Sequence, residues 1–310
     1  MKIFPQSQGR TAYTSRTQLI FIAAILLPIT VIATLSLPLG ALLHNETNSA
    51  PCFPTAAEEC GCISDAAASA GIKPADDREL NAQQRSYSEA DFTHQGISSS
   101  YRVFDNFIDP SQPVGVLIRL HGDGAYEYRQ SSSLASCLAA VAAAHNLILV
   151  QPLTPSQDRT WWTDLRVNTQ WLQALYEERI TTLEDVDPTQ TWWMGYSGGA
   201  EMISYGLLPN AIEMISGGAI MVAGGGAPRG STEIANITTA QQSRLPLVWA
   251  TGKRDSGADP AAPFDALNAA RRGSAFYQDL GFDGVRTDFS RDADHFTIDE
   301  VNVLHSSLGT

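Results

Sequence analysis

Hydrophobic and polar positions split this chain into two unlike stretches. Residues 17–43 carry no charged side chain, and "LIFIAAILLPITVIATLSLPLGALL" within them is apolar almost throughout. A helix of about 25 residues rises about 37 Å, enough to cross a hydrocarbon core of about 30 Å with some tilt. Pro28 and Pro38 would kink such a helix without forbidding it. Beyond residue 86 the pattern changes to short apolar runs alternating with stretches of helical period. Strands are predicted at 101–107 ("YRVFDNF"), 114–120 ("VGVLIRL", broken only by Arg119), 147–152 ("LILVQP"), 190–196 ("QTWWMGY"), 218–224, 246–252 and 284–290. Helices are predicted at 132–145, 168–180, from Ala200 onward, at 264–281 ending on Gly281, and at 297–308. Continuous apolar runs mark strands buried on both faces, and the serines opening the first helix are cap candidates.

Strand–helix alternation of this kind predicts the α/β class, with a mainly parallel sheet and helices on both faces. The chain then divides into a cytoplasmic N-terminus (1–16), a transmembrane or signal segment (17–43), an extracytoplasmic linker (44–85, small, polar and proline-containing) and one α/β domain (86–310). Lys2, Arg10 and Arg16 precede the apolar run and no basic residue directly follows it, which places the N-terminus in the cytoplasm and the remainder outside. The run is longer than a usual signal-peptide core, and Asn48 spoils the small-x-small pattern before Ala50. An uncleaved anchor is therefore the expectation, with a secreted protein the alternative if the segment is cleaved.

The formal net charge is −13, and no basic run exists to neutralise phosphates, which excludes nucleic-acid backbones as partners. Cys52, Cys60 and Cys62 cluster after the apolar run, and Cys137 lies apart. An exported compartment permits a disulfide among them, but the pairing is not legible. The histidines are scattered, and neither a metal nor an organic cofactor is expected.

In a parallel sheet, ligands bind at the carboxyl ends of the strands, so the residues just after each strand carry the argument. After "TWWM" comes Gly195-Tyr196-Ser197-Gly198-Gly199, a G-x-S-x-G motif between a predicted strand and a predicted helix. That context suits a nucleophilic serine on a sharp turn, with small residues admitting close strand–helix approach. After "VGVLIRL" comes His121-Gly122-Asp123-Gly124. The backbone N–H groups of Asp123 and Gly198 are candidate oxyanion donors, and the His121 ring is expected to support the loop. After "PLVWATG" comes Asp255, the candidate acid that orients a histidine, with Asp259 as its rival. His295, in "DADHF" between the last strand and the last helix, is the candidate general base. His44, His94, His145 and His305 are placed worse for that role. Trp161, Trp162 and Tyr126 are candidates for lining a substrate site, with Tyr128 beside them.

The order Ser197, Asp255, His295, each after its own strand, resembles the α/β-hydrolase superfamily. The resemblance covers about residues 100–310 through "RLHGDG", "GYSGGA", "TGKRD" and "DADHF". It implies a nucleophile at Ser197, a base at His295 and an acid at Asp255. A narrower resemblance, through the strand ending "LHG", "GYSGG" and the aromatic loop "DRTWWTDLRVNTQW", is to exported esterases related to polyhydroxybutyrate depolymerases and feruloyl or acetyl-xylan esterases. The loop lacks the cysteine often found there. The implied function is a serine carboxylic-ester hydrolase. A serine peptidase or acyltransferase on the same fold is an alternative, and so is a catalytically inactive binding protein. Residues 225–244 leave no room for a large cap domain, so the expected substrate is a small or polymer-attached ester at an open site.

Overall fold

The computed structural model describes residues 87–105, 108–129, 132–228 and 237–309. The apolar segment 17–43, the linker 44–85 and Cys52, Cys60 and Cys62 lie outside the described residues. Among the described residues no helix is long and apolar enough to cross a membrane.

Eight strands form one sheet: β1 (Ser88–His94), β2 (Ile97–Phe104), β3 (Val114–Leu120), β4 (Leu147–Pro152), β5 (Val186–Tyr196), β6 (Gly218–Val222), β7 (Leu247–Ala250) and β8 (Val285–Asp288). Their order is β1-β2-β4-β3-β5-β6-β7-β8. The first two strands run antiparallel to their neighbours, and β3 to β8 are all parallel. The mainly parallel sheet expected from the sequence is thus present, with an antiparallel edge. That edge was only half legible. The hairpin turns through Gln95 and Gly96, both at positive φ, the geometry that matches strand twist in a two-residue turn. In β1 only Phe92 is buried, so its sequence carries no apolar run. The strand expected at 101–107 ends at Phe104 and begins earlier, at Ile97.

Among the described residues the α-helices of four or more residues are α1 (Tyr126–Arg129), α2 (Ser132–Ala144), α3 (Leu165–Leu175), α4 (Gly198–Met202), α5 (Thr239–Arg244), α6 (Ala266–Asp279) and α7 (Glu300–Leu308). The helical period expected to Ile180 continues past α3 as a wider turn, Tyr176–Ile180. Alternate residues of β3 enter two separate cores, as the two-residue period of a strand requires. Val116, Ile118 and Leu120 pack with Trp171 and Leu172 of α3, Ala200 and Met202 of α4, and Tyr277 of α6. Leu117 packs on the other face with Leu138 and Val141 of α2, and with Val301 and Leu304 of α7. Cys137 is buried on α2. Helices therefore cover both faces. The carboxyl ends of β3, β5, β7 and β8 stand side by side or near one another along one rim.

Candidate active site

Ser197 sits between the last residue of β5 and the first of α4. Its backbone takes φ 49° and ψ −116°, a conformation that costs a non-glycine residue of order 1–3 kcal/mol and tends to persist where function needs it. The flanking glycines make the turn possible. A Cβ on Gly195 would strike the Gly199 carbonyl, and one on Gly199 would lie 2.5 Å from the Leu120 oxygen. The Ser197 N–H donates to Val222 of β6 at 2.9 Å, which ties the turn to the neighbouring strand.

Three side chains meet here. His295 Nε2 lies 3.0 Å from Ser197 Oγ, and His295 Nδ1 lies 2.9 Å from Asp255 Oδ2. His295 and Asp255 are both buried. Tyr196, the residue before the serine, donates its hydroxyl to the His295 carbonyl at 2.7 Å, and the two rings pack at 5.4 Å between centroids. The loop carrying His295 is thus held by the strand that carries Ser197. The rival carboxylate, Asp259, is elsewhere: it is exposed and accepts the Ala261 N–H at 2.9 Å in its own turn.

The rim is completed from β3. Asp123 opens a short 3-10 turn, Asp123–Ala125, and Gly198 opens α4. The first N–H groups of a helix have no partner within it, so both residues bring unused donors to turns beside the serine. His121 is buried in the loop. Its Nε2 takes the Thr154 N–H at 3.1 Å, which requires a lone pair there, so Nδ1 carries the proton and donates to the Gly122 carbonyl at 2.7 Å. Burial pushes this imidazole down to about 3, against a weaker opposing pull from its bond to Gly122. The ring stays neutral and braces the loop.

Of the aromatic candidates, Trp161 needs correction. Trp161 is 0% exposed. It packs against His121 at 4.9 Å between ring centroids, and its carbonyl accepts from Asn168 Nδ2 at 2.7 Å. It is core and offers no surface to a substrate. Trp162 is 45% exposed, and its Nε1 donates to both oxygens of Asp123, at 3.2 and 3.0 Å. Tyr126 is exposed on α1, whereas Tyr128 is buried, sharing a hydrogen bond with Ser100 of β2 at 3.0 Å.

Two further residues of the site carry no sequence signal. Phe296, next to the histidine, is exposed and lies edge-on to its ring at 5.5 Å. Glu201 of α4 is buried and accepts the N–H groups of Gly225 and Gly226, each at 3.1 Å. It thereby fixes the turn after β6 against the back of the serine, where Gly224 approaches the Ser197 carbonyl. Burial raises its carboxyl above the ordinary range, against the lowering effect of these bonds and of Tyr205. A lone glutamate on a helix gives no sequence signal of such a role.

No protein-family model matches the chain, and no curated protein does. Solved structures match. A thermostable esterase superposes with a TM-score of 0.52 at 17% identity, over 70% of this chain and 60% of that one. The match thus spans less than two thirds of that esterase's length. A mutant of the feruloyl esterase module from Clostridium thermocellum complexed with sinapinate gives 0.50 at 16% identity, covering 76% of this chain and 92% of that one. Poly(aspartic acid) hydrolase-1 from Sphingomonas sp. KT-1 gives 0.50 at 13% identity, covering 72% and 96%. At these identities the likeness is one of fold. Together with the strand order, it gives the chain the α/β-hydrolase fold.

Proposed function

We propose that the chain is a serine hydrolase that cleaves carboxylic esters through an acyl-enzyme on Ser197. The observation that carries this reading is the unbroken line from Ser197 Oγ through the His295 ring to Asp255 Oδ2. In the first half-reaction His295 Nε2 takes the Ser197 proton as Oγ bonds to the carbonyl carbon. The tetrahedral oxyanion is met by the N–H groups of Asp123 and Gly198, and one such donor is typically worth about 10²–10³ in rate. His295 then passes its proton to the leaving alcohol as the ester C–O bond breaks. In the second half a water gives its proton to His295, adds to the acyl carbon and releases the acid, and Ser197 regains its hydrogen. Asp255 holds the imidazole in the required tautomer and stabilises its charged form.

Two of the structural neighbours, the thermostable esterase and the feruloyl esterase module, are esterases, which supports ester chemistry ahead of amide chemistry. The same machinery also opens amides or transfers acyl groups, so the test must separate these. A panel of p-nitrophenyl esters of rising acyl length is compared with aminoacyl amides, for the wild type and Ser197→Ala, alongside labelling by a fluorophosphonate probe. The expected result is hydrolysis of short-acyl esters, label on Ser197, and loss of both in the variant by at least about a thousandfold. Undiminished ester turnover in Ser197→Ala would sink the assignment. An unlabelled, inactive wild type would favour an inert binding scaffold. The choice of short or polymer-attached esters follows from the brief connection between β6 and β7. Outside the cytoplasm, tethered through residues 17–43, is the proposed place of action.

A further inference from the structure

The rim beside Gly198 holds a carboxylate that ester hydrolysis does not require. Asp123 folds its side chain over the residue that follows Ser197, so closely that a Cβ on Gly198 would collide with Asp123 Oδ1. Its two oxygens share one neutral donor, the indole Nε1–H of Trp162. Among the described residues no lysine or arginine forms an ion pair with it. An ionised carboxylate offers about four lone-pair sites, so one shared N–H leaves most of its accepting capacity unused, on a residue that is itself exposed. Asp158 and Glu127, the carboxylates whose fields reach it, carry the same sign, and the field of His295 reaches it too.

This placement has a catalytic consequence. Negative charge next to Gly198 opposes the negative charge that develops on the carbonyl oxygen held there. A neutral ester brings no charge of its own to offset that opposition. An ester carrying its own positive charge cancels it, and the exposed aromatic rings around the rim would favour the same group. Trp162 adjoins the carboxylate, Phe296 adjoins His295, and Tyr126 stands on α1 just beyond Asp123. Ring faces attract ammonium groups through their quadrupole. A hydroxylated neutral ester would use the acceptors but leave the charge uncompensated.

We propose that Asp123 is a specificity-determining residue whose carboxylate, with the aromatic rim, selects esters bearing an ammonium group within a few bonds of the scissile carbonyl. The proposal rests on the ester-hydrolase reading of Ser197, and the experiment separates the two. Two cationic esters are used: acetylcholine, with the charge on the alcohol side, and the ethyl ester of trimethylglycine, with the charge on the acyl side. Each is paired with its neutral carbon isostere, in which a tert-butyl group replaces trimethylammonium. Acid release is followed by titration, and each kcat/KM is divided by the alkaline hydrolysis rate of the same ester. Wild type and Asp123→Asn are compared, with melting temperature as the check on folding.

The wild type is expected to prefer the cationic member of at least one pair about tenfold. Asp123→Asn is expected to erase that preference, by losing the cationic ester and gaining on the neutral one. A wild type indifferent to charge in both pairs overturns the proposal whether or not the variant folds. A preference that survives in Asp123→Asn overturns it as well. A wild type that hydrolyses none of these esters, nor p-nitrophenyl acetate, overturns instead the ester-hydrolase reading beneath it.

Discussion

His121 receives the Thr154 N–H on Nε2 and gives its Nδ1–H to Gly122, so both ring nitrogens are committed while the ring is neutral. Protonation would place a second N–H against the Thr154 donor in a buried site. The free histidine binds its proton near 6.5 and the folded one only near 3. Between those values the unfolded chain holds the extra proton, so stability rises with pH across that window. The contribution is complete above about 6.5 and drains away as pH falls towards 3, at about 1.4 kcal/mol per pH unit. Urea unfolding of the wild type should therefore lose free energy steeply from pH 6.5 to pH 4, and His121→Asn should show a flatter profile over the same range. Parallel profiles would mean that His121 is not the group responsible. The supporting role of this ring could be read from its place after an apolar strand. The fates of Trp161 and Trp162 could not, because adjacent residues in an irregular loop follow no period. One enters the core beside His121, and the other turns outward to Asp123.

At the scale of elements, β3 and α7 are joined by a pair that apolar patterning conceals. Arg119 interrupts the buried run of β3, and its Nη2 donates to both oxygens of Glu300 at 2.8 Å. The arginine is 1% exposed and the glutamate 6%. Burial works against the Arg119 charge, but Glu300, with Glu127 behind it, more than offsets this and holds the guanidinium above its ordinary range. Glu300 opens the helix that follows the His295 loop, so the pair locks that loop's far end to the strand leading into Asp123. Removing one partner strands a charge in the core, at a cost of about 3–5 kcal/mol. Glu300→Gln should lose that much in chemical denaturation, and Arg119→Met with Glu300→Leu should recover most of it. A loss below about 1 kcal/mol in the single variant would show that the pair carries little. Sequence flags only the arginine, since its partner lies 181 positions away. The interior strands were legible for the opposite reason. β3, β4, β6 and β7 are buried along their whole length and, Arg119 and Gln151 apart, are apolar, whereas β1 and most of β2 face water on one side or both and blend into their surroundings.

For the whole molecule, the proposed tether decides where the domain works. The uncharged segment 17–43 follows Lys2, Arg10 and Arg16 and precedes a strongly acidic remainder. On the proposed reading, some twenty apolar residues buried in lipid would make insertion effectively irreversible, and the basic flank would set its direction. A cleaved leader would give a different molecule with the same active site. Expressed in a bacterial host as residues 1–310, the chain should sediment with membranes, resist extraction by alkali and salt, and dissolve only in detergent. Its intact mass should match all 310 residues. Protease added outside spheroplasts should reach the domain and leave cytoplasmic markers untouched. A soluble species whose mass places its first residue after 43 would show instead that the segment is a removed signal, and the tether would have to be given up. Protection from outside protease would reverse the proposed orientation and, with it, the compartment in which Ser197 meets its ester.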